Sequence, residues 1–177
     1  SFWSEYMKKL FVVFLLSLVT FPVFASNWRD WESFSVPKGN EQHWICGMAT
    51  VNRTDPEKNA SIKLIESTPF IQFDLYKGSW SFPEGASVAV RLDFDDNEPL
   101  DLKAYGDGKI VSIAIPVELT SVFLSLVNDR QYIRVFFREG NEKTWTIGLD
   151  GAQPSLLRML SCFKQNRVSQ GGAATGD

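Results

Sequence analysis

The densest group of side chains able to do chemistry is Asp93, Asp95, Asp96, Glu98 and Asp101, in the run LDFDDNEPLD. Two such carboxylates can act as acid and base in glycoside hydrolysis, and hard cations such as calcium take oxygen ligands of this kind. The run lacks the glycine and the closing glutamate that an EF-hand loop requires, so its simplest reading is a solvated turn between two strands. His43 is the single histidine. A Ser-His-Asp or Cys-His nucleophilic site would have to use it, yet no Gly-x-Ser-x-Gly accompanies it. A zinc site needs three or four ligands, which one histidine does not supply. His43 therefore reads as a surface or strand-edge residue, and these groups imply no catalytic residue, no metal and no cofactor.

Cys46 and Cys162 are the two cysteines. In an oxidising compartment an isolated pair most often forms one disulfide. It would tie an early strand to a C-terminal helix and close a loop spanning most of the chain, worth at most about 4–5 kcal/mol by chain entropy. Two separate thiols, or a redox site, are the alternative, although no Cys-x-x-Cys is present. Among the tryptophans, Trp44 and Trp145 sit in apolar strand patterns and are expected in the core. Trp28, Trp31 and Trp80 lie near chain ends or turns, where an exposed aromatic could anchor a partner protein. The competing reading is that they cap the open ends of a sandwich.

The compartment follows from residues 7–25, MKKLFVVFLLSLVTFPVFA. Lys8 and Lys9 precede an apolar run, Pro22 ends it, and Val23-Phe24-Ala25 offers a signal-peptidase site. The run is too short to span a bilayer comfortably. Residues 1–25 are thus expected to be a signal peptide, with 1–6 upstream of a start at Met7. Residues 26–168 are expected to form one β-rich domain and 169–177 a disordered tail, in a protein that is periplasmic or secreted. The formal net charge is −3, and one unit more negative without Lys8, Lys9 and Glu5. That balance argues against nucleic acid and gives no polybasic patch for an anionic membrane.

Alternation of apolar and polar residues places strands at 61–66, 70–76, 88–94, 100–105 and 109–115, the last two flanking Gly106-Asp107-Gly108. Residues 28–36 read as a strand or extended arm, and 37–40 as a turn. Residues 44–51 form an apolar run suited to a buried strand. The polar stretch 52–59 reads as a loop; its two Asn-x-Ser/Thr sequons, at Asn52 and Asn59, are ordinary polar residues in a bacterial context. Residues 117–128 carry Leu119, Val122, Phe123, Leu126 and Val127 at helical spacing. A hairpin of 132–137 and 144–149 around Glu139-Gly140-Asn141 follows, then a helix over 154–164 lined by Leu156, Leu160 and Phe163.

The closing run Trp145-Thr-Ile-Gly-Leu-Asp-Gly151, followed by Leu156-Leu157-x-x-Leu160-x-Cys162, resembles the end of the invasion-associated locus B proteins, small exported proteobacterial proteins. The strand Val-x-Val-x-Leu-x-Phe at 88–94 and the early Trp44-x-Cys46 fit the same outline; Ala152 departs from it, where a small hydroxyl residue often follows the glycine. The resemblance implies an exported, disulfide-bearing β domain linked to host interaction or envelope function, with no catalytic residues to carry over.

The expected fold is mainly β: an antiparallel, sandwich-like domain with one short helix and a C-terminal helix. The expected function is a non-enzymatic exported protein that binds another protein, in the envelope or on a host. Two alternatives stand beside it. An inhibitor module would use a projecting loop such as 52–59, and a hydrolase would bring Asp93, Asp95 or Asp101 together in a concave pocket.

Overall fold

The computed structural model describes residues 26–39, 43–95 and 98–171. The signal-peptide reading, residues 172–177 of the expected tail, and Asp96 lie outside them. Nine strands run in chain order: β1 (Glu32–Val36), β2 (Ile45–Val51), β3 (Lys58–Ile65), β4 (Ile71–Lys77), β5 (Phe82–Asp93), β6 (Leu100–Gly108), β7 (Ile110–Ile115), β8 (Tyr132–Phe137) and β9 (Trp145–Gly148). A short 3-10 turn (Val117–Leu119) leads into α1 (Thr120–Asp129), and α2 (Ala152–Gly171) closes the chain.

All pairings are antiparallel, and the strands form one sheet in the order β1-β2-β3-β4-β7-β6-β5-β8-β9. The expected β architecture with a short helix and a C-terminal helix is present. Its ladder is continuous, so the walls of the core come from one sheet that curls with its own twist. Strand alternation sends Met48, Ile62, Phe73, Leu92, Ile113, Ile133 and Ile147 to the inside, where each is fully buried. α1 closes one part of this core with Phe123, whose ring meets Phe73 at 6.1 Å and Phe94 at 5.9 Å. α2 packs against β1 and β2, with Phe163 edge-on to Trp44 at 5.4 Å.

The disulfide expected from the cysteine count is formed: Cys46 and Cys162 are joined across 116 residues, with Cα atoms 5.9 Å apart. It links β2 to α2, so the helix is held on the sheet covalently as well as by packing.

Several boundaries differ from the sequence pattern for local reasons. β5 begins at Phe82 rather than 88, because a bulge between Phe82 and Ala86, with Gly85 at φ 73°, absorbs the turn-like Pro83-Glu84-Gly85. Gly106 belongs to β6, not to the turn. Phe82 lies over it so closely that a Cβ there would collide with the ring. The turn is Gly108-Lys109, with Gly108 at φ 55°. α2 continues in its backbone through Gly171, past both the expected helix end at 164 and the expected start of the tail at 169.

Candidate functional site

The stretch YIRVFFR (132–138) alternates cleanly. Ile133 and Val135 point into the core, and Tyr132, Arg134, Phe136 and Arg138 form a row on the outer face of the sheet. Register places Arg91 of β5 opposite Phe136, and Asp93 opposite Arg134. On the other side of β5, Asp101 of β6 stands opposite Arg91. Arg138 is fixed by its own backbone, whose N–H donates to the carbonyl of Ala89 at 3.0 Å. An open cleft of about 480 Å³ lies over this surface, lined by Arg91, Asp93, Asp95, Pro99, Phe136, Phe137 and Arg138.

Charges in the cleft are interleaved. Asp101 accepts from Arg91 Nε at 3.0 Å and Nη2 at 3.1 Å, and from Arg138 Nη1 at 3.0 Å. The Arg91 hydrogen bond holds the Asp101 carboxyl below the usual carboxylate range, and the Arg91 guanidinium is stabilised in return. Asp93 pairs with Arg134 Nη2 at 2.8 Å, and the Arg134 guanidinium stacks on the Tyr132 ring at 5.2 Å. Asp95 sits at φ 46° and accepts from the backbone N–H of Gln131 at 3.3 Å. A hydrogen bond to Asp95 pushes the Tyr132 hydroxyl above its ordinary pKa, and burial adds to the shift. Acid–base hydrolysis needs one carboxyl kept protonated near neutral pH. Asp101 is driven the opposite way, and Asp93 is matched to a cation. Among the described residues, no group of three or more histidine, cysteine or carboxylate side chains is placed to hold a metal ion.

The aromatic anchors expected from the sequence lie elsewhere. Trp28 and Trp31 are not exposed: 2% and 3% of their surface remains accessible. They are buried because residues 26–31 strap β2 to β9. Arg29 N–H donates to the carbonyl of Val51 at 2.9 Å, and Trp31 N–H to that of Asp150 at 3.0 Å. The Ser155 hydroxyl of α2 donates to the Trp31 carbonyl at 2.6 Å. Trp80 is half-buried and stacks on Trp145 at 5.3 Å and 16°. Trp145 also meets Trp28 at 5.9 Å and carries the Lys58 ammonium 5.4 Å from its centre.

Glu142, in the β8–β9 loop, ties this aromatic end together. Its carboxylate accepts from Lys77 Nζ at 2.6 Å, Trp80 Nε1 at 3.1 Å and Trp145 Nε1 at 2.9 Å. Burial pushes the Glu142 carboxyl up, but the donors from Lys77, Trp145 and Trp80 together outweigh it and leave the group below its ordinary value. His43 is exposed, with Nδ1 3.6 Å from Glu66. The expected loop 52–59 is shorter than the sequence suggested: residues 52–57 form a compact turn in which the Asn52 side chain accepts the Thr54 and Asp55 N–H groups at 2.9 Å each, and 58–59 already belong to β3.

The sequence pattern marks Asp93, Asp95 and Asp101 as candidates and puts Arg91 outward beside Asp93, but does not bring in the Arg134, Phe136 and Arg138 that face them. The signal was the polar half of the YIRVFFR alternation. Fold and cleft define a class: a curled antiparallel sheet with a disulfide-anchored C-terminal helix and a charge-interleaved groove on its outer face. No family model, curated protein or solved structure matches the chain. Among the described residues no helix is long and apolar enough to cross a membrane.

Proposed function

We propose that this protein is exported and works by binding another protein, in the cell envelope or on a host, rather than by catalysis. The observation that carries the reading is the outward row Tyr132, Arg134, Phe136, Arg138, of which Phe136 and Arg138 line an open cleft together with Arg91 and Asp93. Arginine and aromatic side chains are the types most enriched at protein interface hot spots. Asp93 and Asp101 are tied to arginines and Asp95 is bonded to Gln131 N–H and the Tyr132 hydroxyl, which favours recognition over acid–base chemistry. The basic-apolar-cleavage pattern at 7–25 supports export, and so does the disulfide, since such bonds persist in oxidising compartments. The resemblance of residues 145–162 to the invasion-associated locus B proteins supports a host-facing or envelope role.

Affinity capture from envelope and host extracts with the mature chain tests the reading. Capture of a protein by wild type, with loss of that protein when Phe136→Ala and Arg138→Ala are introduced at unchanged melting temperature, is the expected result. Turnover in a hydrolase panel with no captured partner would overturn it.

A further inference from the structure

We propose that the β5–β8 cleft takes an extended peptide segment of its partner. The segment places one acidic side chain on Arg138 and Arg91, and an apolar side chain two residues along against Phe136. The inference rests on the protein-binding reading above and specifies the chemistry of the bound segment. Two guanidinium groups share a single carboxylate at this end of the cleft, since Asp101 accepts from both Arg91 and Arg138. One positive charge is therefore in excess there. Further along, Arg134 is matched by Asp93 at 2.8 Å and Asp95 adds a negative charge, so the positive excess is confined to the Arg91–Arg138 end. Arg138 uses one nitrogen on Asp101, its side chain stays 53% exposed, and a guanidinium carries five N–H donors in a fork that suits a carboxylate.

Spacing selects the rest of the ligand. Arg138 and Phe136 are two residues apart on one face, about 6.6 Å along the strand direction. An extended peptide has the same repeat, so a side-chain carboxylate over Arg138 brings the residue two positions away over Phe136. A polyanion such as single-stranded nucleic acid carries a charge at each step and would meet Asp101, Asp93 and Asp95. A cleft of about 480 Å³ running along the outer face fits several residues of chain better than a free amino acid.

The test titrates the mature protein, by fluorescence anisotropy, with a labelled Gly-Glu-Gly-Leu-Gly peptide. Comparison ligands are the same peptide with lysine replacing glutamate, the same peptide with glycine replacing leucine, labelled glutamate, and oligo-dT. The glutamate–leucine peptide should bind best, and more weakly as salt rises. Arg138→Ala should weaken it by up to about fivefold, the upper end of the range for one exposed ion pair. Arg138→Glu should reverse the preference toward the lysine peptide, and Phe136→Ala should erase the advantage of leucine over glycine. Equal binding of the glutamate and lysine peptides, tighter binding of oligo-dT, an unreversed preference in a folded Arg138→Glu protein, or no peptide binding would each overturn the proposal. Partner capture that survives loss of Arg138 and Phe136 would end this inference and leave protein binding standing. Failure to capture any partner would end the broader reading.

Discussion

The indole of Trp28 donates its Nε1 hydrogen to the carbonyl of Thr146 at 2.7 Å, across 118 residues of chain. Trp31 does the same to the carbonyl of Gly148 at 2.8 Å. Thr146 and Gly148 are two apart on β9, so their carbonyls point the same way. The N–H of Leu149 bonds toward β8 through Gln131, which puts the two carbonyls on the far side, the edge of the sheet. An exposed strand edge invites pairing with another chain. Here two side chains occupy its acceptors, and the N-terminal strap becomes the clasp of the curled sheet.

Replacing either indole with a ring that lacks the donor isolates this role. Trp28→Phe and Trp31→Phe should each lower stability by about 1–2 kcal/mol, the cost of leaving a carbonyl without its donor. Trp28→Ala should cost about 3–5 kcal/mol, because the ring contacts go as well. Urea denaturation measures both. Hydrogen exchange at β9 should rise in the Phe variants; unchanged β9 protection would show that the indoles do not guard the edge.

The disulfide joining β2 to α2 predicts a second loss. A Cys46→Ala/Cys162→Ala protein should be less stable by up to about 4–5 kcal/mol, since the bond closes a 116-residue loop in the unfolded chain. Much of the loss should appear as fraying of α2, which the sulfurs hold on the sheet. Urea melts with and without reductant, with helix content followed by circular dichroism, check this. A reduced protein as stable as the oxidised one would refute the role of the staple.

Glu142 makes stability pH-dependent. Its folded-state pKa lies below the unfolded value of 4.5, so its contribution is complete above pH 4.5 and is lost as pH falls through the lower folded value. Glu142→Gln should flatten that part of the acid limb of the stability curve. It should also cost about 2–3 kcal/mol at neutral pH, because Lys77 and two indole N–H groups lose a charged acceptor in a position only 17% exposed. Melting temperatures of the two proteins between pH 3 and 7 give the comparison, and parallel curves would assign the acid sensitivity elsewhere.

Local pattern made most strands readable in advance, because alternation over 70–76, 88–94 and 132–137 reports directly which face is buried. Trp44, Trp145 and the Cys46–Cys162 bond were readable for the same reason: apolar context and an isolated pair of cysteines are local or compositional facts. What stayed hidden depends on contacts far apart in the chain. Trp28 and Trp31 look like loose terminal aromatics until their acceptors, more than a hundred residues away, are in place. Gly106 looks like a turn residue because nothing nearby announces that Phe82 will cover it. The acidic cluster was visible, but its meaning depends on Arg134 and Arg138 arriving from a strand some forty residues later in the chain.

A buried carboxylate on the outer face provides the last test. Asp74 is only 5% exposed although its strand position faces outward, because Lys63 and Gln72 fold over it. Lys63 Nζ lies 2.6 Å from Asp74 Oδ2, and Gln72 Nε2 donates at 2.9 and 3.0 Å. Removing one partner of such a pair leaves an uncompensated charge away from water, which costs more than the pair itself contributes. Lys63→Met should therefore destabilise the protein by about 2–3 kcal/mol, somewhat below a fully buried pair because Lys63 keeps part of its contact with water. Asp74→Asn in the same background should recover much of that loss, since the amide needs no counter-charge and Gln72 can still bond to it. Single and double variants measured in urea form a thermodynamic cycle. If the double variant is no more stable than Lys63→Met alone, the loss comes from the packing of the lysine stem across β3 and β4 and not from the stranded charge.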